Sequence, residues 1–326
     1  MQVFQPAKTK LEAVNRISEL TSAGPQGLGP GSKERKSVLT NLAIGLGIPF
    51  SHELSKQALA SLLADNLGRI WLPEYESRGQ TITLQGLNLL LEAASFGVES
   101  DGPKSTISIS QAFDAELRSM AEVITANTPR KMDGRKCVQE MRDNGVSGWR
   151  QTEWQGRYFE VTVGEALKHQ LGGGGIKYAN TTFDYSRNFI WDLKAHSSES
   201  SSGSQNWICI LNDSNAVDLA VNEAGLGFII LSGHPTFDRD FTKWHKQFRG
   251  SNGAEPRRTL KSEFTPERID IFFVADGRQL AAALARGELT LQSQGKNSNG
   301  KPRPPKYHMN LKKTLGGNLQ VYSHVF

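Results

Sequence analysis

The stretch TTFDYSRNFIWDLKAHS, residues 181–197, places two aspartates and a lysine inside hydrophobic sequence of high β-propensity. Its pattern predicts two paired strands, at 181–184 and 188–194, with a turn at Tyr185–Arg187. Burying three charged groups for stability alone is costly and is seldom better than apolar packing. The stretch therefore indicates a functional site within a sheet, and a buried salt bridge is the alternative.

Asp192 and Lys194 lie two residues apart on the second strand, so their side chains point to the same face of the sheet. Asp184, near the end of the first strand, is expected to reach that face too. Two converging carboxylates repel each other unless a cation lies between them, and Mg²⁺ is usually held by one or two carboxylates plus substrate phosphate. We predict a Mg²⁺ site formed by Asp184, Asp192 and the Leu193 carbonyl. Lys194 would polarise or deprotonate the attacking water and neutralise charge on the phosphate.

The sequence on both sides of this stretch alternates between helical and strand patterns. Helices are predicted at 110–128, 149–171, 214–225 and 277–288, and further strands at 206–212, 226–233 and 267–276. This order predicts an α/β (α+β) domain over residues 109–326, with a mixed central sheet flanked by helices.

The predicted helix at 149–171 places two glutamates and two small residues on one face. They are spaced three or four residues apart, at Glu153, Gly156, Glu160 and Gly164. The glycines would let this face approach the carboxylate site closely. We therefore predict Glu153 or Glu160 as an additional metal or water ligand. The alternative is that both glutamates are solvated and paired with Arg150 and Arg157.

The first hundred residues have a different character. Residues 21–33, TSAGPQGLGPGSK, are rich in Gly, Pro and Ser, so residues 1–33 are predicted to be an arm and a loop. Three short helices are predicted within 34–97, at 36–48, 55–68 and 82–97, and a polar linker at 98–108. The helices resemble a helix-turn-helix or winged-helix DNA-binding module, with 71–83 as a wing or turn. A small helical bundle without DNA contacts is the alternative.

Positive charge is concentrated in the last quarter of the chain. From Lys243 onward there are fifteen Lys and Arg against six Asp and Glu, a balance of +9, whereas the whole chain has a net charge of +5. Such a region is typical of a nucleic-acid binder, and a lysine-rich soluble surface is the alternative. The predicted DNA contacts are His196, Lys243, Lys246, Arg249, Arg257, Arg258, Lys261, Lys301 and Arg303.

One basic segment, FDRDFTKWHKQFRG at 237–250, interleaves its cations with Phe241, Trp244 and Phe248. This mixture suits phosphate contacts and stacking on a displaced base. Packing of the aromatic rings into the core is the alternative.

Several classes of protein are disfavoured by composition. No apolar run approaches the roughly 20 residues that span a bilayer, and the N-terminal residues lack the apolar segment of a secretory signal. Cys137 and Cys209 are too few for a disulfide framework or a cysteine-based zinc site. We expect a cytoplasmic protein with two structural thiols.

The segment FDYSRNFIWDLK resembles the metal-binding core of the PD-(D/E)XK nuclease superfamily. In that pattern an aspartate near the end of one strand is followed, on the next strand, by an acidic residue, any residue and a lysine. Asp184, Asp192 and Lys194 match these positions. Phe183 stands where the pattern has proline, and the short interval between the aspartates implies a tight hairpin. In this superfamily a preceding helix often contributes a carboxylate, and WRQTEWQGRYFE resembles such a helix.

The resemblance implies a Type II restriction endonuclease that cuts double-stranded DNA by Mg²⁺-dependent hydrolysis. The arrangement also resembles the BisI-like enzymes, which require methylated cytosine. A homodimer acting on a palindromic target and a cognate DNA methyltransferase as functional companion are further expectations. Two alternatives stay open at this point: a non-catalytic DNA-binding transcriptional regulator, and a structure-specific repair nuclease.

Overall fold

The computed structural model describes residues 4–21, 27–29, 31, 33–77, 81–97, 109–251, 258–295 and 302–326. The chain is a mixed α/β protein, as predicted. It divides into two compact units, one of residues 1–118 with 222–224 and one of residues 119–221 with 225–326. The predicted linker at 98–108 lies outside the described residues.

The described part of the first unit contains four complete α-helices, a 3-10 turn at Pro73–Tyr75 and a small two-stranded ladder. The elements are α1 (Lys10–Leu20), α2 (Lys36–Gly45), α3 (Lys56–Asn66), β1 (Glu76–Ser77), β2 (Thr81–Ile82) and α4 (Leu84–Gly97). The three helices predicted from the sequence are therefore confirmed to within a few residues. Ser55 caps α3 by accepting a hydrogen bond of 3.1 Å from the amide of Ala58, since the first amides of a helix have no partner within it.

Helix α1 corrects the prediction that residues 1–33 form only an arm and a loop. The hydroxyl of Thr9 accepts a hydrogen bond of 3.1 Å from the amide of Glu12 and so caps the helix. Ala13, Val14 and Ile17 are buried in the core that α2, α3 and α4 share. The apolar face of α1 thus gives it the stability that a short isolated helix lacks in water.

The second unit is built around a seven-stranded sheet and a three-stranded sheet, with helices between the strands. Helix α5 contains the boundary between the units. The elements from there on are α5 (Ile109–Asn127), β3 (Met132–Asp133), α6 (Gly134–Asp143), α7 (Trp154–Leu171), β4 (Gly174–Tyr178), β5 (Thr181–Ser186), β6 (Ile190–Ser197), β7 (Ile208–Asp213), α8 (Ser214–Ala224), β8 (Leu226–Asp238), α9 (Arg239–Phe248), β9 (Leu260–Val274), α10 (Gly277–Arg286), β10 (Leu289–Gln292), β11 (Lys306–Asn310), α11 (Leu311–Thr314) and β12 (Gln320–Val325).

The seven-stranded sheet has the order β12-β9-β8-β6-β5-β4, and β3 pairs with β9 beside this path. Strands β6 and β8 are parallel, and every other neighbouring pair in this sheet is antiparallel. Parallel strands need a crossover connection, which β7 and α8 provide. The central position of β8 explains its continuous apolar run, because a strand covered on both faces buries every side chain.

The glycine run after α7 does more than end the helix. Gly172 and Gly173 have φ of 75° and 85°, a conformation that favours glycine, and they reverse the chain. Gly174 then begins β4, which pairs antiparallel with β5. The sequence prediction missed β4 because its Gly-rich start gives no strand pattern. It also began α7 at 149, whereas the helix begins at Trp154.

A close contact fixes β6 against β8 below the candidate site. Gly227 pairs with Trp191 across the parallel strands, and a Cβ atom at this position would overlap the indole ring of Trp191. Both residues belong to the sheet that carries Asp192, so this contact sets how closely the two central strands approach.

Among the described residues, no helix is both long and apolar enough to cross a membrane.

Candidate active site

The hairpin of β5 and β6 brings the predicted carboxylates together. Tyr185 pairs with Trp191, so the next step of the antiparallel register sets Asp184 opposite Asp192. At this step the strands stop forming backbone hydrogen bonds with each other. The Asp184 Oδ2 atom instead accepts a hydrogen bond of 2.9 Å from the amide of Leu193. Asp184 is thereby held by the residue between Asp192 and Lys194.

Lys194 lies directly on the second carboxylate. Its ammonium group forms an ion pair with Asp192 Oδ2 and donates a hydrogen bond of 3.2 Å to the carbonyl of Leu193. Asp192 is only 1% exposed. The ammonium therefore contacts two of the three oxygen donors predicted for a metal ion.

Burial and mutual repulsion make the site electrostatically unusual. Burial, together with the negative charge of Asp192, raises the pKa of Asp184 to about 7. Burial alone would lower the pKa of Lys194, but the carboxylates of Asp192, Asp184 and Glu160 outweigh it and raise the pKa above its usual range. Lys194 is consequently a cation at neutral pH, which favours charge stabilisation over proton abstraction among its two predicted roles.

Glu160 is the glutamate of α7 that belongs to this cluster. Burial raises its pKa, the cations Lys194 and Arg157 oppose the shift, and Asp192 adds to it. The guanidinium of Arg157 donates to Glu160 at 3.2 Å. Helix α7 packs against β5 and β6, and Phe159, the residue before Glu160, is fully buried.

Glu153, the other candidate, is engaged elsewhere. It forms an ion pair with Lys261 of β9 and another, at 3.2 Å, with Arg258. Gln155 donates to the same carboxylate at 2.8 Å. Burial alone would raise the pKa of Glu153, but Lys261 lowers it below its usual range.

The glycines of α7 have a smaller role than the sequence suggested. A Cβ atom at Gly156 would meet Ala195 at 4.0 Å, an ordinary van der Waals distance, and one at Gly164 would meet nothing within 4 Å. An alanine would therefore fit at either position, so the approach of α7 to β6 does not depend on the absence of a Cβ atom at Gly156 or Gly164.

The donor set suits Mg²⁺ better than a transition metal. Nowhere in the described ranges do three His, Cys, Asp or Glu side chains cluster in a way that could hold a metal ion. Asp184, Asp192 and the Leu193 carbonyl supply only oxygen atoms, and Mg²⁺ typically takes one or two carboxylates and keeps water or phosphate in its other positions. The pKa of Asp184 is raised by burial and by repulsion from Asp192, and a bound divalent cation would offset both effects.

The predicted DNA contacts fall into three groups. Arg257 and Lys301 lie outside the described residues. Lys261 and His196 are buried, with exposures of 6% and 5%, so neither presents a charged group to a ligand at the surface. The side chains of Lys243, Lys246, Arg249, Arg258 and Arg303 are partly or fully exposed.

His196 lies on the same strand face as Asp192 and Lys194 but is neutral. Its Nδ1 atom is 3.3 Å from the Ser232 hydroxyl, and its Nε2 atom has no hydrogen-bond partner. Burial lowers the pKa of His196 to about 4. A phosphate contact by an imidazolium is therefore not supported at this position.

Three arginines were missed by the sequence prediction. The guanidinium groups of Arg135, Arg142 and Arg150 each lie over an aromatic ring. In the sequence, Arg135 and Arg142 lie in an irregular charged stretch, whereas Arg150 fell within the helix predicted at 149–171, as a possible partner of the glutamates. The seven-residue interval from Arg135 to Arg142, two turns of helix, was the available signal.

Comparison with known proteins gives no relative. No protein-family model, no curated protein and no solved structure matches this chain.

Proposed function

We propose that the chain is a Mg²⁺-dependent DNA endonuclease with a PD-(D/E)XK-type site. The observation that carries the proposal is the position of Asp184 opposite Asp192 on neighbouring strands, with the ammonium of Lys194 paired to Asp192. The charge of Glu160 on α7 acts on this group. A strongly perturbed carboxyl pKa with a specific charge partner is typical of a catalytic site.

The fold supports this proposal. Helix α7 precedes Asp184, the Asp-x-Lys residues follow on the next strand, and both strands belong to a mixed sheet. In the first unit, the β1–β2 ladder follows α3, as a wing would. We propose that this unit is a winged-helix-like DNA-binding module.

The chain's own residues divide the work of hydrolysis. Asp184, Asp192 and the Leu193 carbonyl would hold the metal ion. When bound there, Mg²⁺ supplies a Lewis acid and a water of lowered pKa. Lys194 stabilises the negative charge that develops on the phosphate, since the surrounding carboxylates keep it protonated.

Glu160, whose charge acts on both Asp184 and Lys194, would orient the attacking water. Arg157 restrains it through the 3.2 Å hydrogen bond. The water oxygen bonds to phosphorus, the bond from phosphorus to the 3′ oxygen breaks, and the product keeps a 5′-phosphate.

A restriction enzyme is the specific activity that we propose. The basic C-terminal quarter and a separate first unit give more DNA-binding surface than a minimal nuclease needs. Two copies would act on a palindromic site, because two-fold protein symmetry mirrors two-fold site symmetry. A cognate methyltransferase would protect the host DNA, unless methylated cytosine is itself the target.

Plasmid cleavage in Mg²⁺ tests the proposal on unmethylated and cytosine-methylated DNA. We expect discrete bands from the wild type, and none from Asp192→Ala or from Asp192→Asn, which preserves the side-chain shape. Glu165→Gln is the matched control, because Glu165 is an exposed acid on α7 that pairs with Lys168. The methylated lane distinguishes a methylation-dependent enzyme from a methylation-blocked one.

Each rival predicts a different outcome of the same assay. No cleavage on either DNA, with tight binding by the wild type and by Asp192→Asn, would exclude the nuclease and favour a transcriptional regulator. Cleavage of branched or flapped DNA, without discrete bands from plasmid, would favour a repair nuclease.

A further inference from the structure

A row of arginines and aromatic rings connects α6, the turn at 147–150 and α9 in the second unit. We call it the arginine–aromatic face. Its members are Arg135 and Arg142 on α6, Trp149 and Arg150 in the turn, and Trp244 and Phe248 on α9.

The rings form a continuous stack. Trp244 and Phe248 are nearly parallel, with ring centroids 4.7 Å apart and an angle of 20° between their planes. Trp149 meets Phe248 edge-on, with a centroid distance of 5.6 Å. Because the three rings come from two separate segments, the stack holds the turn against α9.

Each arginine lies over one ring of the stack. The Cζ atom of Arg142 is 4.4 Å from the centroid of Phe248. The corresponding distances are 5.3 Å from Arg135 to Trp244 and 4.6 Å from Arg150 to Trp149. A guanidinium held over a ring loses rotational freedom before any ligand binds, while its N–H groups remain available to an acceptor.

Positive charge on this face is poorly neutralised. Arg142 pairs with Asp143 at 2.7 Å. Across the described ranges, Arg135, Arg150, Lys136 and Lys246 form no ion pair. The acids nearby have other partners: Asp133 and Asp238 cap α6 and α9, Asp240 pairs with Lys243, and Glu140 accepts from the hydroxyl of Tyr158.

The geometry favours phosphate over a nucleic-acid base. Phe248 has the Trp244 ring stacked against it and the Arg142 guanidinium 4.4 Å from its centroid, and two planar groups cannot share one face of a phenyl ring. Neither face of Phe248 is left for a base. At Phe248 the sequence-based expectation of base stacking is therefore replaced by one of phosphate contacts through guanidinium edges.

We propose that the arginine–aromatic face binds the sugar-phosphate backbone of duplex DNA. The proposal deepens the proposed function, since it assigns the surface that holds the substrate duplex. The turn that carries Arg150 leads directly into α7, the helix that carries Glu160. Binding at this face thus restrains the helix that contributes a carboxylate to the candidate site.

Equilibrium binding to a short labelled duplex tests the proposal, measured by fluorescence anisotropy at several salt concentrations in a chelating buffer. The test variant is Arg135→Gln with Arg150→Gln. The matched control, Lys168→Gln with Lys177→Gln, removes the same charge from solvent-accessible positions on α7 and β4, outside both this face and the basic C-terminal quarter. Because each phosphate contact contributes ~0.9 to the slope of log Kobs against log salt, we expect the slope of the test variant to fall by about 2. The control should keep the wild-type slope.

A charge-preserving variant, Arg135→Lys with Arg150→Lys, separates charge from stacking. Lysine keeps the charge but lacks the planar group that stacks on a ring. We expect the wild-type slope with weaker affinity at every salt concentration. Thermal unfolding confirms that each variant is folded before binding is measured.

Three results would overturn the proposal. The first is an equal slope for the test and control variants, and the second is an Arg→Lys variant that binds the duplex as tightly as the wild type. The third is a test variant that loses affinity for single-stranded DNA but not for the duplex. Binding is measured without a metal ion, so its outcome is independent of cleavage. If the slope of the test variant fell as expected but the wild type cut no DNA, the nuclease proposal would be excluded and this proposal would stand. If the wild type cut DNA but the slope of the test variant were unchanged, this proposal would be excluded and the nuclease proposal would stand.

Discussion

Leu193 shows how much of the candidate site is set by the backbone. Its amide donates to Asp184 and its carbonyl accepts from Lys194, so one peptide segment orients an acid and a cation at once. Its side chain is fully buried and takes no part in these bonds. Apolar substitutions at this position should therefore preserve the arrangement of the charged groups as long as they pack.

The carboxyl of Asp184 makes stability depend on pH. Its pKa is about 7 in the folded protein and 3.8 as the reference for the unfolded chain. The folded state binds the proton more tightly, so this group lowers the free energy of unfolding as pH rises from about 4 to about 7. In a chelating buffer at pH 8, we expect Asp184→Asn to be roughly 1–3 kcal/mol more stable than the wild type.

Thermal unfolding across pH measures this difference. The difference in stability should shrink as the pH falls towards 4 and vanish below about pH 3, where the wild-type carboxyl is protonated in both states. It should also become smaller when Mg²⁺ is added. Equal stability of the two proteins at pH 8 without metal would contradict the raised pKa.

Lys194 provides the second test at the scale of single residues. Lys194→Met removes the cation that faces the developing phosphate charge, and the loss of one such group costs roughly 10²–10³ in rate. We expect that loss in single-turnover cleavage, with duplex binding nearly unchanged. Cleavage within a few-fold of wild type would show that the ammonium only neutralises Asp192.

At the scale of elements, helix α7 separates two glutamates that look equivalent in the sequence. Glu160 faces the carboxylates of β5 and β6, whereas Glu153, two turns earlier, faces Lys261 of β9. We expect Glu160→Gln to reduce cleavage about tenfold or more, the scale of a positioned acid–base group, with little change in Tm. Glu165→Gln on the same helix is the control.

Glu153→Gln should lower stability and leave cleavage nearly unchanged, the opposite of Glu160→Gln. It leaves the ammonium of Lys261 buried without its carboxylate, which destabilises the protein by roughly 1–2 kcal/mol after allowance for the partial exposure of Glu153. Calorimetry and cleavage assays on both variants measure the contrast. If Glu153→Gln abolished cleavage at full stability, the assignment of the two glutamates would be reversed.

Two glycines in neighbouring elements should respond with opposite signs. Gly227→Ala on β8 drives a methyl group into the Trp191 ring and should cost roughly 1–3 kcal/mol. Gly164→Ala on α7 fills open space and removes a poor helix former, so we expect a gain of about 0.5–1 kcal/mol. Denaturant unfolding compares them, and a destabilised Gly164→Ala would contradict the open space beside α7.

The parts of the fold that the sequence predicted are those whose signal is local. Helix α2 follows its apolar spacing, α3 and α10 combine such spacing with a side-chain cap, and β8 begins as an apolar run bounded by glycine. Strand β4 was missed because only its pairing with β5 makes a Gly-rich segment a strand. The carboxylates of β5 and β6 were predictable because one hairpin contains them.

The choice between Glu153 and Glu160 was not predictable in the same way. Helical spacing puts both glutamates on one face, and the partner that separates them, Lys261, lies more than a hundred residues away in the chain. The arginine–aromatic face was hidden for the same reason, because two of its rings come from α9, the third from the turn at 147–150 and two of its arginines from α6. Spatial neighbours of this kind follow from the sheet order and not from any periodicity.

For the whole molecule, the proposed pairing of two copies on one target can be tested directly. Each copy would cut one strand, so a dimer in which only one copy has an intact active site should nick one strand of the duplex without cutting the other. Mixing wild type with excess Asp192→Asn should shift the product of a one-site plasmid from linear to nicked circular DNA. Unchanged proportions of linear product would indicate that one copy cuts both strands.

The β5–β6 hairpin also bears on how such a site is inherited. Asp184, Leu193 and Lys194 hold one another through bonds that begin and end within residues 184–194. A single recombination event therefore transfers the acids and the lysine together, already oriented, into another sheet. The glutamate of α7 is encoded separately, so descendants of such an exchange would share the hairpin while differing in the carboxylate that accompanies it.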